Sequence, residues 1–250
     1  MARLKNRTAV VTGASKGIGA EIAKHLAADG ARVVVNYASN PAAAQKVVDE
    51  IRTAGGEAIA VKADVTSAAQ LKALFDETQK AFGTATILVN NAGAYGATPL
   101  GTIDEASFRK YFDLNVLGLL LATQEAAGRF NGAPGVIINI SSTVAITPAA
   151  PMSIYSATKA AVDNLTRSLA LELGPKARVV AVSPGLTVTE GYQEMTQGGD
   201  GSFEQYAVSR TPLGRTGKPA DIARVVTFLA SDEAAWITGE TVQAGGGVRM

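Results

Sequence analysis

Thr8-Ala9-Val10-Val11-Thr12-Gly13-Ala14-Ser15-Lys16-Gly17-Ile18-Gly19 is the stretch on which the reading of this chain turns. Its first five residues, mostly β-branched, read as a buried strand. Glycines then fall at 13, 17 and 19, spaced GxxxGxG, and Ile18, Ile22 and Leu26 recur every four residues, one face of a helix. Strand, glycine turn and helix together make a phosphate cradle. Gly tolerates φ > 0 and lets backbone approach a pyrophosphate, while the helix N-terminus offers free N–H groups and a positive dipole end. An ordinary tight turn also places glycine between a strand and a helix. Three glycines in one frame favour the cradle, with Gly13, Ser15, Lys16, Gly17, Ile18 and Gly19 as dinucleotide contacts.

The same alternation continues along the chain. Strands are expected at 32–36, 58–61, 87–90, 136–140, 178–182 and 240–243, and helices at 41–54, 67–82, 105–129, 153–173 and 220–231. Continuous apolar strands separated by helices mean a parallel sheet covered on both faces. The expectation is one doubly wound α/β Rossmann domain over 1–250, with a seven-stranded parallel sheet. Residues 186–216 break the alternation, and Gln197-Gly198-Gly199-Asp200-Gly201-Ser202 reads as flexible. A segment this long is a lid or a surface excursion; leaving from the ligand end of strand six favours the lid.

Composition narrows the chemistry. With no Cys and one His among 250 residues, thiolate metal sites, a Cys nucleophile and a Ser-His-Asp triad away from His25 are excluded, and no metal is expected. Acid–base work falls to carboxylate, Lys, Tyr or Ser. A net charge of +1 gives no global drive toward nucleic acid or an anionic membrane. No run approaches the ~20 apolar residues of a membrane span, and the basic start, Met1 to Arg7, precedes an apolar stretch too short for a signal peptide. A soluble, cytoplasmic protein is expected.

In doubly wound sheets the ligand sits beyond the carboxyl ends of the strands. Strand two ends in Asn36-Tyr37-Ala38-Ser39, without the carboxylate that usually holds the ribose 2′-OH of NAD. A neutral Asn36 does not repel a 2′-phosphate and Lys16 can pair with one, so NADP(H) is favoured over NAD(H). Asp64-Val65 ends strand three, where Asp64 can accept from an adenine amino group, lead into a helix capped by Thr66 or Ser67, or do both. Strand four ends in Asn90-Asn91-Ala92-Gly93, also on the ligand side. Asn115 lies inside an apolar stretch and needs buried partners.

Tyr155 and Lys159 stand at i and i+4, on one helix face. A Tyr with a reference pKa of about 10 needs about 4 kcal/mol to reach about 7. One positive charge at ~4 Å and an effective dielectric of ~20 supplies roughly that as an upper bound. Ser142, 13 residues earlier at the end of strand five, can hydrogen-bond a carbonyl oxygen while Tyr155 protonates it, or can serve merely as a turn residue.

In this order and spacing the motifs resemble the short-chain dehydrogenase/reductase family over nearly the whole chain. They are Thr12-Gly13-x-x-x-Gly17-x-Gly19, Asp64-Val65, Asn90-Asn91-Ala92-Gly93, Asn115, Ser142, Tyr155-x-x-x-Lys159 and Pro184-Gly185. Gly214-Arg215-x-Gly217-x-Pro219 and Thr238-Gly239 follow. Val180 and Ala244-Gly245-Gly246 depart from the pattern, away from the chemistry. The resemblance implies that Tyr155 is general acid in reduction and base in oxidation, and that Ser142 orients the substrate oxygen. Lys159 would hold the ribose hydroxyls and depress the Tyr155 pKa. Asn115 would fix a water linking Lys159 to solvent. Pro184, Gly185, Thr187 and Thr189 would hold the nicotinamide amide, and Asn91, Ala92 and Gly93 would line the cofactor. It also implies a homotetramer built through helices 105–129 and 153–173.

The small apolar residues Val144 to Met152, with Leu186, Tyr192 and Met195 from the lid, suit a moderately apolar ketone, of carbonyl or 3-oxoacyl type. Arg129 and Arg167 are the candidates for contact with a carrier protein. The rival readings are a sugar or polyol dehydrogenase of the same family and a catalytically idle dinucleotide-binding module. His25 and Trp236 read as structural, Trp236 packing near the last strand. Phe108, Phe112 and Val116 read as core or interface.

Overall fold

Seven short runs dominated by Val, Ile and Ala form the strands: β1 (Thr8–Val11), β2 (Arg32–Tyr37), β3 (Glu57–Lys62), β4 (Ile87–Asn90), β5 (Gly135–Ile140), β6 (Ala177–Pro184) and β7 (Thr241–Ala244). The computed structural model describes residues 2–130, 134–196 and 201–248. Among these the strands make one sheet in the order β3-β2-β1-β4-β5-β6-β7, every neighbouring pair parallel. The chain order reverses between β1 and β4, which opens a crevice at the carboxyl ends of those two strands.

Both faces of the sheet are covered because side chains alternate along each strand. Ala9, Val11, Val33, Val35, Ile87 and Val89 point to a core shared with α1 (Gly17–Ala28), α2 (Pro41–Thr53) and α9 (Pro219–Ala230). Val10, Val34, Leu88, Ile137 and Val179 point to the other, filled by α3 (Ala68–Phe82), α5 (Gly118–Ala127) and α6 (Ser153–Leu173). Val180 is fully buried in the first of these cores, where its apolar side chain is at home.

The helix expected over 105–129 is interrupted. α4 (Glu105–Phe112) passes through a π-helical turn (Asp113–Leu117) before α5 begins. Phe108 and Phe112, in phase on α4, stack at 4.3 Å; the extra residue in the π turn then breaks the four-residue phase and Asn115 turns inward, 2% exposed. Gly118 permits this close approach, since a Cβ there would lie 2.8 Å from Val65.

The segment 186–216 is not irregular throughout. It carries α7 (Glu190–Met195) and α8 (Ser202–Ser209). Its two ends are stitched together, Gly217 N–H donating to Leu186 O and Val188 N–H to Gly217 O. The Met195 side chain and residues 197–200, with most of the flexible stretch expected there, lie outside the described residues. Trp236 does not pack near β7 as expected: it follows a 3-10 turn (Asp232–Ala234) that turns its ring outward, 100% exposed. No helix among the described residues is long and apolar enough to cross a membrane.

Candidate active site

The glycine turn is held from beneath by the exit of β4. Thr12 Oγ accepts from the N–H groups of Asn91 and Ala92, each at 3.0 Å, and the Asn91 amide donates to Thr12 O and Gly13 O. This packing dictates two of the three glycines. A Cβ at Gly13 would lie 2.9 Å from Ala92 Cα, and one at Gly19 would lie 2.3 Å from Asn91 Nδ2. Asn91, expected to line a cofactor, therefore spends its side chain on the turn. Gly17, at φ +61°, faces Thr189 of the lid instead. Ser15 and Ile18 are half-buried between them.

The N-terminus of α1 is an anion site already in use. Lys16, its N-cap, makes no side-chain cap and the first turn holds no acid. The Gly17 N–H binds the Glu190 carboxylate at 3.1 Å. Lys16 does not stand free for a 2′-phosphate; its ammonium pairs with Glu194 at 2.9 Å. Both partners come from α7, whose long acidic side chains reach the turn.

Asn36 also departs from expectation. Its side chain is buried, accepting from Gly13 N–H at 3.1 Å and donating to Ala63 O at 3.0 Å and Val61 O at 3.3 Å. It ties β2 to the turn and to β3 and does not face solvent, because the strand's alternation directs position 36 inward. Tyr37 packs partly on the core, and Ala38 and Ser39 are the exposed residues of the strand end. Asp64 accepts from the Thr66 N–H and hydroxyl, while Ser67 caps α3 by accepting from Gln70 N–H. Val65 is buried against α5.

Beyond β4 and β5 lies a buried polar ladder. The Asn90 amide donates to Thr123 Oγ and Asn139 Oδ1, and the Asn139 amide donates to Thr166 Oγ. Asn115 accepts from Ala94 N–H at 2.8 Å and donates to Ala94 O and Thr158 Oγ, joining the Asn90–Gly93 exit to α6. A cavity of about 10 Å³, lined in part by Asn90, Asn115, Ile140 and Lys159, adjoins it; that is about the room one water needs.

Ser142, Tyr155 and Lys159 meet at the carboxyl end of β5. The Ser142 hydroxyl accepts from Val144 N–H at 3.4 Å and bears on the Tyr155 phenol. Lys159, 7% exposed, donates to Ile140 O at 2.8 Å, its Nζ lying 5.8 Å from the Tyr155 ring centre. Burial pushes the phenol up to about 12, opposed by the Ser142 hydroxyl. Burial also pushes the Lys159 ammonium down to about 8, opposed by the Asp163 charge. The expectation that Lys159 lowers the Tyr155 pKa is thus corrected for the protein's own groups.

On the far side, a Cβ at Gly185 would lie 2.8 Å from Gly245 Cα, so β6 and the residues after β7 touch backbone to backbone beside Pro184. Thr187 donates to Gly185 O, and Thr189 caps α7 by accepting from Tyr192 N–H. Sequence reasoning missed Tyr95. Its hydroxyl lies 2.7 Å from where a Gly191 Cβ would stand. It also missed Glu190 and Glu194. The signal for Tyr95 was its place just after the strand-four exit; nothing in the sequence pointed α7 at the turn.

The donor set fits a nicotinamide dinucleotide: N–H groups at the start of α1 that bind a carboxylate, a glycine at 17 facing Thr189, and Tyr155 with Lys159 beyond. The family model described as enoyl-(acyl carrier protein) reductase matches residues 13–249. An oxidoreductase of Methylorubrum extorquens is 53% identical over 251 residues, covering all of both chains. The versicolorin reductase of Emericella nidulans is 37% identical, covering 98% of this chain and 96% of its own. A solved 7α-hydroxysteroid dehydrogenase, complexed with NADH and 7-oxo glycochenodeoxycholic acid, superimposes with a TM-score of 0.93 at 38% identity, over 99% of this chain and 96% of that one. A crevice built from these motifs, and relatives alike along their full length, establish that the chain belongs to the short-chain dehydrogenase/reductase family, the NAD(P)-dependent oxidoreductases that interconvert carbonyls and alcohols.

Proposed function

We propose that this enzyme reduces a ketone, of carbonyl or 3-oxoacyl type, to a secondary alcohol with NADPH, reversibly. The observation that carries the reading is the hydroxyl pair Ser142–Tyr155, seated beside buried Lys159 at the carboxyl end of β5. A bound nicotinamide dinucleotide supplies the hydride and, when oxidised, a positive charge at its ring.

The protein's groups do the rest. Tyr155 stays protonated at neutral pH, as a proton donor to a nascent alkoxide must. The Ser142 hydroxyl holds the carbonyl oxygen against it. Lys159, charged below about pH 8, holds ribose hydroxyls and steadies the phenolate left after proton transfer. Asn115 and the small cavity hold a water through which the proton is replaced. Pro184, Gly185, Thr187 and Thr189 hold the nicotinamide amide, and the turn from Gly13 to Gly19 holds the pyrophosphate. NADPH preference is supported by the absence of a carboxylate at the exposed end of β2. Residues 186–216 act as the lid of a single domain.

The apolar wall, with Ile146 67% exposed and Tyr95 43% exposed toward solvent, supports an apolar substrate. That a related dehydrogenase holds a 7-oxo compound supports the ketone class. The test is Tyr155→Phe, assayed with NADPH against aliphatic, aryl and 3-oxoacyl ketones. Turnover is expected to fall about 10²- to 10⁴-fold, with NADPH binding retained in a fluorescence titration. Wild-type rates in that variant would remove Tyr155 from the reaction.

A further inference from the structure

The short helix α7 is seated on the glycine turn at three points. Its N-cap Thr189 and its first residue Glu190 lie on Gly17. The Glu190 carboxylate accepts from Gly17 N–H at 3.1 Å, and Thr189 Cβ lies 3.5 Å from where a Gly17 Cβ would stand. One turn on, at the i, i+4 spacing that puts both acids on one face, Glu194 pairs with the Lys16 ammonium at 2.9 Å. Between them Gly191 lies close to Tyr95 and Lys16. A Cβ there would stand 2.7 Å from the Tyr95 hydroxyl and 3.8 Å from Lys16 Nζ. Glycine is a poor helix residue, so its place in a helix of 6 residues is intelligible as the clearance this seating needs.

The contact has the chemistry of an anion at a helix N-terminus. α1 has no acid in its own first turn and no side-chain cap, so its start draws negative charge from elsewhere. A carboxylate offers what a phosphate oxygen offers, an anionic acceptor for a backbone N–H. Glu190 on Gly17, with Glu194 on the neighbouring Lys16, therefore imitates two linked anionic groups laid along the turn. The Gly17 N–H carries one hydrogen, and two anions crowded at one helix end repel each other.

We propose that α7 is an internal latch that competes with the coenzyme's pyrophosphate for the start of α1, so that coenzyme enters only as Glu190 and Glu194 let go. The proposal rests on the reading of the turn from Gly13 to Gly19 as the pyrophosphate site. The latch is weak by construction. Glu190, Glu194 and Lys16 are all exposed, so each contact shifts the equilibrium by only a few-fold. Apparent coenzyme affinity falls in proportion to the fraction of molecules whose latch is open, and two such contacts together make that about tenfold.

The test is NADPH affinity, read by fluorescence titration without substrate. Glu190→Gln should tighten Kd about threefold, and Glu190→Gln with Glu194→Gln about tenfold. The gain should appear as faster association with dissociation unchanged. Removing two negative charges would also ease the approach of an anionic coenzyme if α7 never touched the turn, so a second variant separates the two effects. Gly191→Val changes no charge and crowds Tyr95 and Lys16. It should unseat α7 and tighten Kd by several-fold as well.

Tighter binding in the Gln variants with an unchanged Kd in Gly191→Val would mark plain charge repulsion and overturn the latch. An unchanged or weaker Kd in the double Gln variant would also overturn it. A wild-type enzyme that binds neither NADPH nor NADH would instead sink the reading of the turn. Coenzyme bound with equal affinity by wild type and variants sinks the latch alone.

Discussion

Ala38 is the residue on which coenzyme choice can be tested. Asn36 looked like the selector because it ends a strand without a carboxylate, but its amide is committed to Gly13, Val61 and Ala63. An Asp there would strip two carbonyls of their donor and bury a charge, so any loss would report folding rather than selection. Ala38 is exposed two residues further along. We expect Ala38→Asp to leave Tm within about 1 °C and to move the ratio of kcat/KM for NADPH over NADH toward NADH by about tenfold, a repulsion worth about 1.4 kcal/mol. An unchanged ratio would mean that β2 does not face the 2′ position. The same lesson applies to Tyr155. The i, i+4 spacing was legible, but the direction of the pKa shift depended on burial, and burial is a property of the packed crevice.

Among the elements, α9 shows how a motif near the chain's end acts at a distance from the chemistry. Pro219 opens the helix, where its missing N–H costs nothing. Asp221, two residues on, accepts from Lys218 N–H at 2.8 Å and from Arg215 at 2.7 and 3.1 Å. The Arg215 hydrogen bond and that backbone N–H hold its carboxyl down at about 2. A carboxylate whose folded pKa lies below its unfolded value stabilises the fold above the unfolded value, and this is lost as pH falls toward the folded one. Most of the pair is open to solvent, which discounts the ion pair itself. The cap remains, and Asp221→Ala should lower Tm by a few degrees at pH 7, about 1 kcal/mol of helix-end stability. The difference should disappear toward pH 2 in a calorimetric titration; a deficit constant with pH would assign it to packing. Gly214 to Pro219 was visible as a motif in the sequence, but the pairing of its Gly217 with Leu186 and Val188 was not.

Over the molecule as a whole, large apolar side chains remain uncovered. Leu171 at the end of α6 is 85% exposed, Leu117 is 42% exposed, Phe108 on α4 is 46% exposed, and Trp236 is fully exposed. Isolated exposed apolar residues are ordinary, but these include positions on the two helical segments through which assembly was expected. We expect light scattering on the purified enzyme to give a mass about four times that of one chain. Leu171→Glu with Phe108→Glu should reduce it to dimer or monomer. A monomeric wild-type enzyme would end the tetramer reading.

The order of strands and helices, the parallel sheet, the glycine turn and the Ser142, Tyr155 and Lys159 set were all legible in sequence, because they depend on local periodicity and on spacings along one helix or one turn. The burial of Asn36, the reach of Glu190 and Glu194 to the glycine turn, and the ladder from Asn90 through Asn139 to Thr166 were decided only in three dimensions. Each joins segments far apart in the chain, and which way a side chain faces there is set by the packing of its neighbours, not by the residues beside it in sequence.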